Sequence, residues 1–473
     1  MNAEPKPSRP APPSGQAPML LLVVDGLRPD DISKAHTPFL QHLRWSALID
    51  ATLEGAPGEG LWGELFAGAW PERTGALAPW TIDPGAGLPF SSRAARLLDG
   101  LDRVARWTES APIPARLIPR LRAADPSGMS VPPPPLTPAG LRRCLKLVDD
   151  PTLYMRPGRA PLPALFDSLL AAGRRIEQTG FPLTPREERR LISRLGFMSR
   201  AFLDHHDLYV AKMPGTDRLR LQHGPGSPER VQLARDLDGL MERLVSRFRR
   251  QWPEGVVVVL GPRGSVSVRT YFDAAARLIH NARRHGLLHY RDYVILTSRT
   301  LVRAWAFSNA AQEYFQMFAG YDRHLRRYGR ILTPQLAARH RLPPPGAVSG
   351  DWLWFARPGV ILFPNDTDAR RPKAASGYLH LDAATPAELP PARLPTDDFI
   401  ANLELGDPLR SDCGVFLVSI PESHPLAGNE IRGAMRRVDV CATLAYLQNA
   451  RPPAACQGRN LLEQAPPPQS DSI

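Results

Sequence analysis

Lysine is almost missing from this 473-residue chain: only Lys6, Lys34, Lys146, Lys212 and Lys373 interrupt a basic complement that is otherwise arginine. The net charge of +12 suits an acidic partner such as phosphate, nucleic acid or anionic lipid. Yet the arginines are scattered along the whole chain and mark no single binding face, and a GC-rich coding bias explains such scatter as well. Cysteine is scarce too. Cys144, Cys413, Cys441 and Cys456 show no metal-like spacing and fit reduced, mostly buried thiols. No run approaches the roughly 20 apolar residues of a membrane span. The start, "MNAEPKPSRPAPPSGQAP", lacks the basic opening, apolar stretch and cleavage site of a secretory signal. Residues 1–17 are therefore expected to be a disordered tail, 463–473 a second tail, and the protein cytoplasmic.

What is present is a large α/β pattern. Hydrophobic residues make up 43% of the chain, enough for a sizeable core. The run "MLLLVVDG" from Met19 to Gly26 is too short for a helix and suits a strand buried on both faces, as parallel strands are. "GVVVVLG" at Gly255–Gly261 and "GVFLVSI" at Gly414–Ile420 repeat it, and "DLYVAKM" at Asp207–Met213 adds another strand. A further stretch at Gly350–Phe363 is broken by a Pro-Gly turn. Helices lie between. The clearest opens on Ser227 as N-cap with Pro228 in the first turn, and another spans Val438–Leu447. Strands alternating with amphipathic helices imply one α/β domain over 18–462, a mostly parallel central sheet with helices on both faces. Pro-rich residues 76–160 and 364–408 break the rhythm and read as irregular or helical loop and cap insertions. In such sheets the ligand crevice lies beyond the carboxyl ends of the strands, where Asp25 falls.

Several blocks then agree in order. "DGLRPD" with "HTPFLQHL", "FAGAWPER" followed by "TGALAPW", "APLPALFDSLLAAGRR", "VAKMPGTDRLRLQHGPGSPERVQLARDLDGLMERL" and the C-terminal "GVFLVSIPESHPLAGNEIRGAMRRVDVCATLAYLQNARPPAACQGRNLL" together resemble the alkaline phosphatase superfamily. The branch most similar is the type I phosphodiesterase and nucleotide pyrophosphatase one. The resemblance implies an alkaline phosphatase-like fold. It also implies hydrolysis by two divalent metals, typically zinc, about 4 Å apart, with a metal-bound Thr or Ser as nucleophile.

Laid on that pattern, the chain departs from it at most functional positions. Asp25 is present. Counting back from Gly68 by the family's spacing puts the nucleophile on Gly58, which has no hydroxyl; Thr52 and Glu59 are the nearest alternatives. The Asp-His pair falls on Pro262 and Arg263. In the second block Asp217 is present, followed by Arg218, but the histidine four residues on is Leu221, and His223 belongs to the loop before the helix. The last histidine falls on Arg410. His205 and His206 read as a solvated turn before a strand, and Glu59, taken alone, as an exposed loop carboxylate.

The replacements suggest that guanidiniums stand in for ions, Arg263 beside Asp25 and Arg410 beside Asp217. Arginine forks onto a carboxylate bidentately and is always charged. A divalent ion roughly 4 Å from it is repelled by on the order of 8 kcal/mol at an effective dielectric of about 20. No metal cofactor is expected. The reading that follows is a non-hydrolytic relative acting as a binding or scaffold protein, with a phosphate-containing or other anionic ligand held by Asp25, Asp217, Arg218, Arg263 and Arg410. The alternatives are a hydrolase with rewired chemistry through Thr52 or Glu59, and a basic nucleic-acid binder, for which no known binding motif is present.

Overall fold

The computed structural model describes residues 17–83, 85, 87–100, 141, 144–179, 201–213, 224–362, 374–375, 378, 412–428 and 430–464. Most of the expected tails, residues 101–140 of the first insertion and nearly all of the second lie outside them. The apolar run after Pro18 forms strand β1, Met19–Val23, buried at every position. Six more strands join it: β2 (Ala47–Glu54), β3 (Ile176–Thr179), β4 (Leu208–Lys212), β5 (Val256–Gly261), β6 (Gly414–Ser419) and β7 (Ile431–Arg436), in the order β7-β2-β6-β5-β1-β4-β3. The ladders β3–β4, β4–β1, β1–β5 and β2–β7 are parallel. The expectation of a mostly parallel sheet holds, with one change of direction. The "GVFLVSI" run, read from its burial as a parallel strand, is β6, and it runs antiparallel to both neighbours. Burial on two faces sets the residue pattern, and an antiparallel strand so covered looks the same.

Alternate residues of each strand feed two cores. Leu21, Val23 and Val258 pack with Leu165 and Phe166 of helix α2 (Leu165–Ala171) and with Val440 and Leu444 of helix α4 (Arg437–Leu447). Leu20, Leu22 and Val257 pack on the other face with Leu40 and Leu43 of helix α1 (Pro38–Trp45) and with Leu237, Met241 and Leu244 of helix α3 (Pro228–Gln251). Each such aliphatic side chain contributes about 1.5–3 kcal/mol on burial, so the sheet is rigid enough to position the loops at its rim. Helix α3 begins where the sequence puts it: Ser227 Oγ accepts the Arg230 amide at 3.2 Å. Its Asp238 carboxylate accepts the Phe39 and Leu40 amides at the start of α1, both at 2.9 Å.

A second antiparallel sheet, Tyr293–Thr297, Leu301–Ala306, Trp352–Ala356 and Gly329–Ile331 in spatial order, has its own core. The strand expected on the near side of the Pro-Gly turn belongs here. The base of the first insertion is neither irregular nor wholly helical. Trp80–Ile82 and Leu145–Leu147 pair antiparallel and pack with Val294, Leu296 and Trp305 of this sheet.

Candidate functional site

The carboxyl ends of β1, β2 and β5 and the amino end of the reversed β6 meet at one rim. Asp25 sits just past β1, buried to 3% exposure. Gly26 and Leu27 turn the chain toward a short 3₁₀ turn at Pro29–Asp31. From the far side Arg230, in the first turn of α3 and 1% exposed, forks onto Asp31 through Nε at 3.2 Å and Nη2 at 2.6 Å. It also donates to the Gly26 carbonyl at 2.8 Å and to Ser265 Oγ at 3.3 Å. Arg28 pairs with Asp30 at 3.0 Å. Burial, aided by the nearby Arg230 charge and opposed by Asp31 and Asp30, lowers the Arg28 pKa.

The loop from β2 is the second wall. Gly58, the position the resemblance assigns to the nucleophile, has φ +110°, a conformation L side chains rarely adopt. A Cβ built there would lie 2.7 Å from the Leu77 carbonyl oxygen. That oxygen also accepts the Glu59 amide at 2.7 Å and the Gly60 amide at 3.1 Å, so it is fixed. The position lacks a hydroxyl and has no space for one. Gly58→Thr is expected to lower stability by about 1–3 kcal/mol, read as a shift of the urea midpoint.

Arg263, at the exit of β5, reaches into this loop. It donates Nη1 to the Gly58 carbonyl at 3.2 Å and Nη2 to the Glu59 carbonyl. Arg263, expected beside Asp25, ties down the loop that carries Gly58. Glu59 is not the exposed loop carboxylate expected of it: its side chain is wholly buried. The turn of the second sheet clamps it, with the Arg299 amide donating at 2.6 Å, the Thr300 amide at 3.2 Å and Arg299 Nε at 3.1 Å, while Arg299 Nη2 lies 3.0 Å away. Burial pushes the Glu59 pKa up, but Arg299, Arg263 and a Ser298 hydrogen bond outweigh it and hold it below the usual carboxylate value. Thr52 lies inside β2, paired with Val415 and Ala434 and half-buried.

Two further buried acids complete the cluster. The turn of π-helix at Gly63–Ala67 begins directly after the loop, and the free amides at its start are taken by Asp149: Leu61 at 2.6 Å, Trp62 at 3.1 Å and Gly63 at 2.9 Å. Those amides form an anion seat that the protein fills with its own carboxylate. Glu64 accepts the Ala56 amide at 3.1 Å and lies 3.5 Å from Arg437 Nη1. Burial raises Glu64 to about 7 despite Arg437, and burial likewise raises Asp149 despite its three amide bonds. The folded protein therefore holds the Glu64 proton where the unfolded chain has lost it. Stability from this group is full below pH ~4.5 and falls as pH rises to about 7, by roughly 2–3 kcal/mol. Glu64→Gln is expected to flatten that slope in urea melts taken between about pH 5 and 8.

The residues that the resemblance assigns to the first metal, Asp25, Gly58, Pro262 and Arg263, do not fit a divalent ion: they offer one carboxylate, and a permanent cation stands where a ligand is needed. Among the described residues no group of three or more His, Cys, Asp or Glu converges to hold a metal. Asp217, Arg218, Leu221, His223 and Arg410 lie outside the described residues. His205 and His206 stand before β4, half-buried rather than solvated, against Trp252 and Tyr209. Sequence reasoning missed Arg230, Arg299, Glu64, Asp149 and Arg437. A charged residue inside an otherwise apolar face, as Arg230 is in α3, is the one local signal that could have found any of them.

Solved structures carry the same arrangement of elements. Murine ectonucleotide pyrophosphatase/phosphodiesterase 5, in an inactive form in complex with AMP, superposes with a TM-score of 0.57 at 14% identity, covering 92% of this chain and 96% of that one. The human protein of the same name gives 0.59 at 12% identity, with the same coverage. This is the nucleotide pyrophosphatase/phosphodiesterase fold. No protein-family profile matches the chain, and no curated protein matches it in sequence. Within the phosphodiesterase fold, the rim of β1, β2 and β5 is built here from acid–arginine pairs. No helix among the described residues is long and apolar enough to cross a membrane.

Proposed function

We propose that this chain keeps the phosphodiesterase fold without its metal-dependent hydrolysis and works as a binding or scaffold protein for a phosphate-containing anion. One observation carries the reading: the nucleophile position is a glycine with left-handed backbone and no space for a Cβ, its carbonyl held by Arg263. A hydrolase rewired through Glu59 has little support, since that carboxylate is sealed under Arg299. The arginines of the cluster favour an anion. Arg263, Arg299 and Arg437 face three acids, of which only Glu59 is held below its ordinary value, while Glu64 and Asp149 are pushed up. Guanidiniums gathered at one rim make a field that draws anions. The AMP bound by the murine relative belongs to the same ligand class. The four free thiols support a reducing, cytoplasmic setting.

The test is one preparation of the full chain. Elemental analysis is expected to find zinc and manganese well below one per chain, with no turnover of an aryl phosphodiester above that of an Asp25→Ala variant. AMP or inorganic phosphate added in a calorimetric titration is expected to bind and be recovered uncleaved. Stoichiometric metal, together with turnover that disappears in the Asp25→Ala variant, overturns the reading.

A further inference from the structure

Two of the four cysteines meet behind the site. Cys441 lies in α4 and is fully buried, its thiol donating to the Phe66 carbonyl at 3.3 Å. Cys456 follows a tight turn closed by its own amide on the Pro453 carbonyl at 2.9 Å, and it is half-buried. Both pack on the Cα of Gly68. A Cβ added to that glycine would fall well inside van der Waals contact distance of the Cys456 sulfur and 3.0 Å from Cys441 Cβ. The carrier segments are fixed independently of the thiols: the Gln457 amide donates to the Gly68 carbonyl at 2.7 Å and the Arg459 amide to the Asp439 carboxylate at 2.8 Å. We propose that Cys441 and Cys456 form a redox-active dithiol, a site of reversible oxidation by peroxide or by a small-molecule disulfide.

The two thiols are unequal in a way that suits this chemistry. The adjoining Cys441 thiol, opposed by burial, brings Cys456 down to about 7. Burial, with the same contact, raises Cys441 well above the ordinary thiol value. Near neutral pH Cys456 is a half-exposed thiolate nucleophile and Cys441 a protonated resolving thiol. The Cys456 thiolate attacks one peroxide oxygen, an S–O bond forms, the O–O bond breaks and hydroxide leaves with a proton from solvent as water. Cys441 sulfur then attacks the sulfenic acid, the S–S bond forms, and the S–O bond breaks to release a second water. Two thiols lose two electrons in all, and the peroxide takes them. Oxidation removes the S–H that Cys441 donates to Phe66, at the end of the π-turn that follows the nucleophile loop, so it is felt at the rim of the sheet.

The full chain is treated with hydrogen peroxide, or with glutathione disulfide, quenched with an alkylating agent, and mapped by mass spectrometry. Expected are a loss of about two mass units and one Cys441–Cys456 cross-linked peptide, reversed by a dithiol reductant, with Cys144 and Cys413 left as thiols. Iodoacetamide labelling of Cys456 is expected to rise with pH through about 7, and Cys441→Ala to move that midpoint upward. Recovery of both residues alkylated after oxidation, a stable glutathione adduct on Cys456 with Cys441 still free, or cross-linking of another pair overturns the proposal. The wild-type map alone decides the matter if the alanine variant fails to fold.

Discussion

Arg299→Ala is expected to lower the unfolding free energy by about 3–5 kcal/mol, the usual cost of breaking one side of a buried ion pair. The Glu59 side chain has no contact with water, and the Arg299 guanidinium meets it through both Nε and Nη2. The variant leaves a carboxylate with only uncharged donors, the backbone amides of residues 299 and 300 and Ser298, in a medium that penalises unpaired charge. The measurement is the urea midpoint at constant slope. The discriminating variant is Arg299→Met with Glu59→Gln, expected to recover most of the loss because no charge is then stranded. If Arg299→Ala melts within about 1 kcal/mol of the parent, the clamp is not buried as described.

Arg263→Ala is expected to cost a similar amount, about 3–5 kcal/mol. Arg263 is 2% exposed, holds two backbone carbonyls, and supplies favourable charge to Glu59, Glu64 and Asp149 together. A double-mutant cycle with Glu59→Gln should show coupling above about 1 kcal/mol, since neighbours in one network are not additive. The parallel cycle with Asp25→Asn tests the pairing that the sequence suggests, and coupling of the same size there would place Asp25 in this network as well. Independence from both partners would mean that Arg263 acts only as a loop tie.

Much of this architecture can be read along the chain, and the unread part has a common cause. Strand β1 followed by Asp25, helix α3 opening at Ser227 and Pro228, and the glycine where the resemblance places a nucleophile are local features carried by runs, caps and spacing. Strand direction is not local. The apolar code of β6 records that both faces are covered and is silent on which way the strand runs. The second sheet is invisible as a separate unit because Trp352–Ala356 has the same composition as a strand of the first. The ion pairs are the least legible: Glu59 and Arg299, or Glu64 and Arg437, are joined only once the sheets and helices have packed, and an isolated Glu between glycines looks like a surface loop. Asp149 is hidden in a stretch whose proline and arginine content suggests irregular structure, although its role is to cap a helical turn.

The reversal of β6 changes how the rim is wired. The other six strands of the sheet all run the opposite way, and those that reach the crevice meet it with their outgoing ends, whereas β6 meets it with its incoming end. Asp412, just upstream, accepts the Gly264 amide at 3.1 Å on its carbonyl and the Tyr378 amide at 3.3 Å on its carboxylate. The same crossing point touches the exit of β5 and the segment at Tyr378. A displacement of Asp412 would therefore be passed directly to the turn that carries Arg263, through the Gly264 amide.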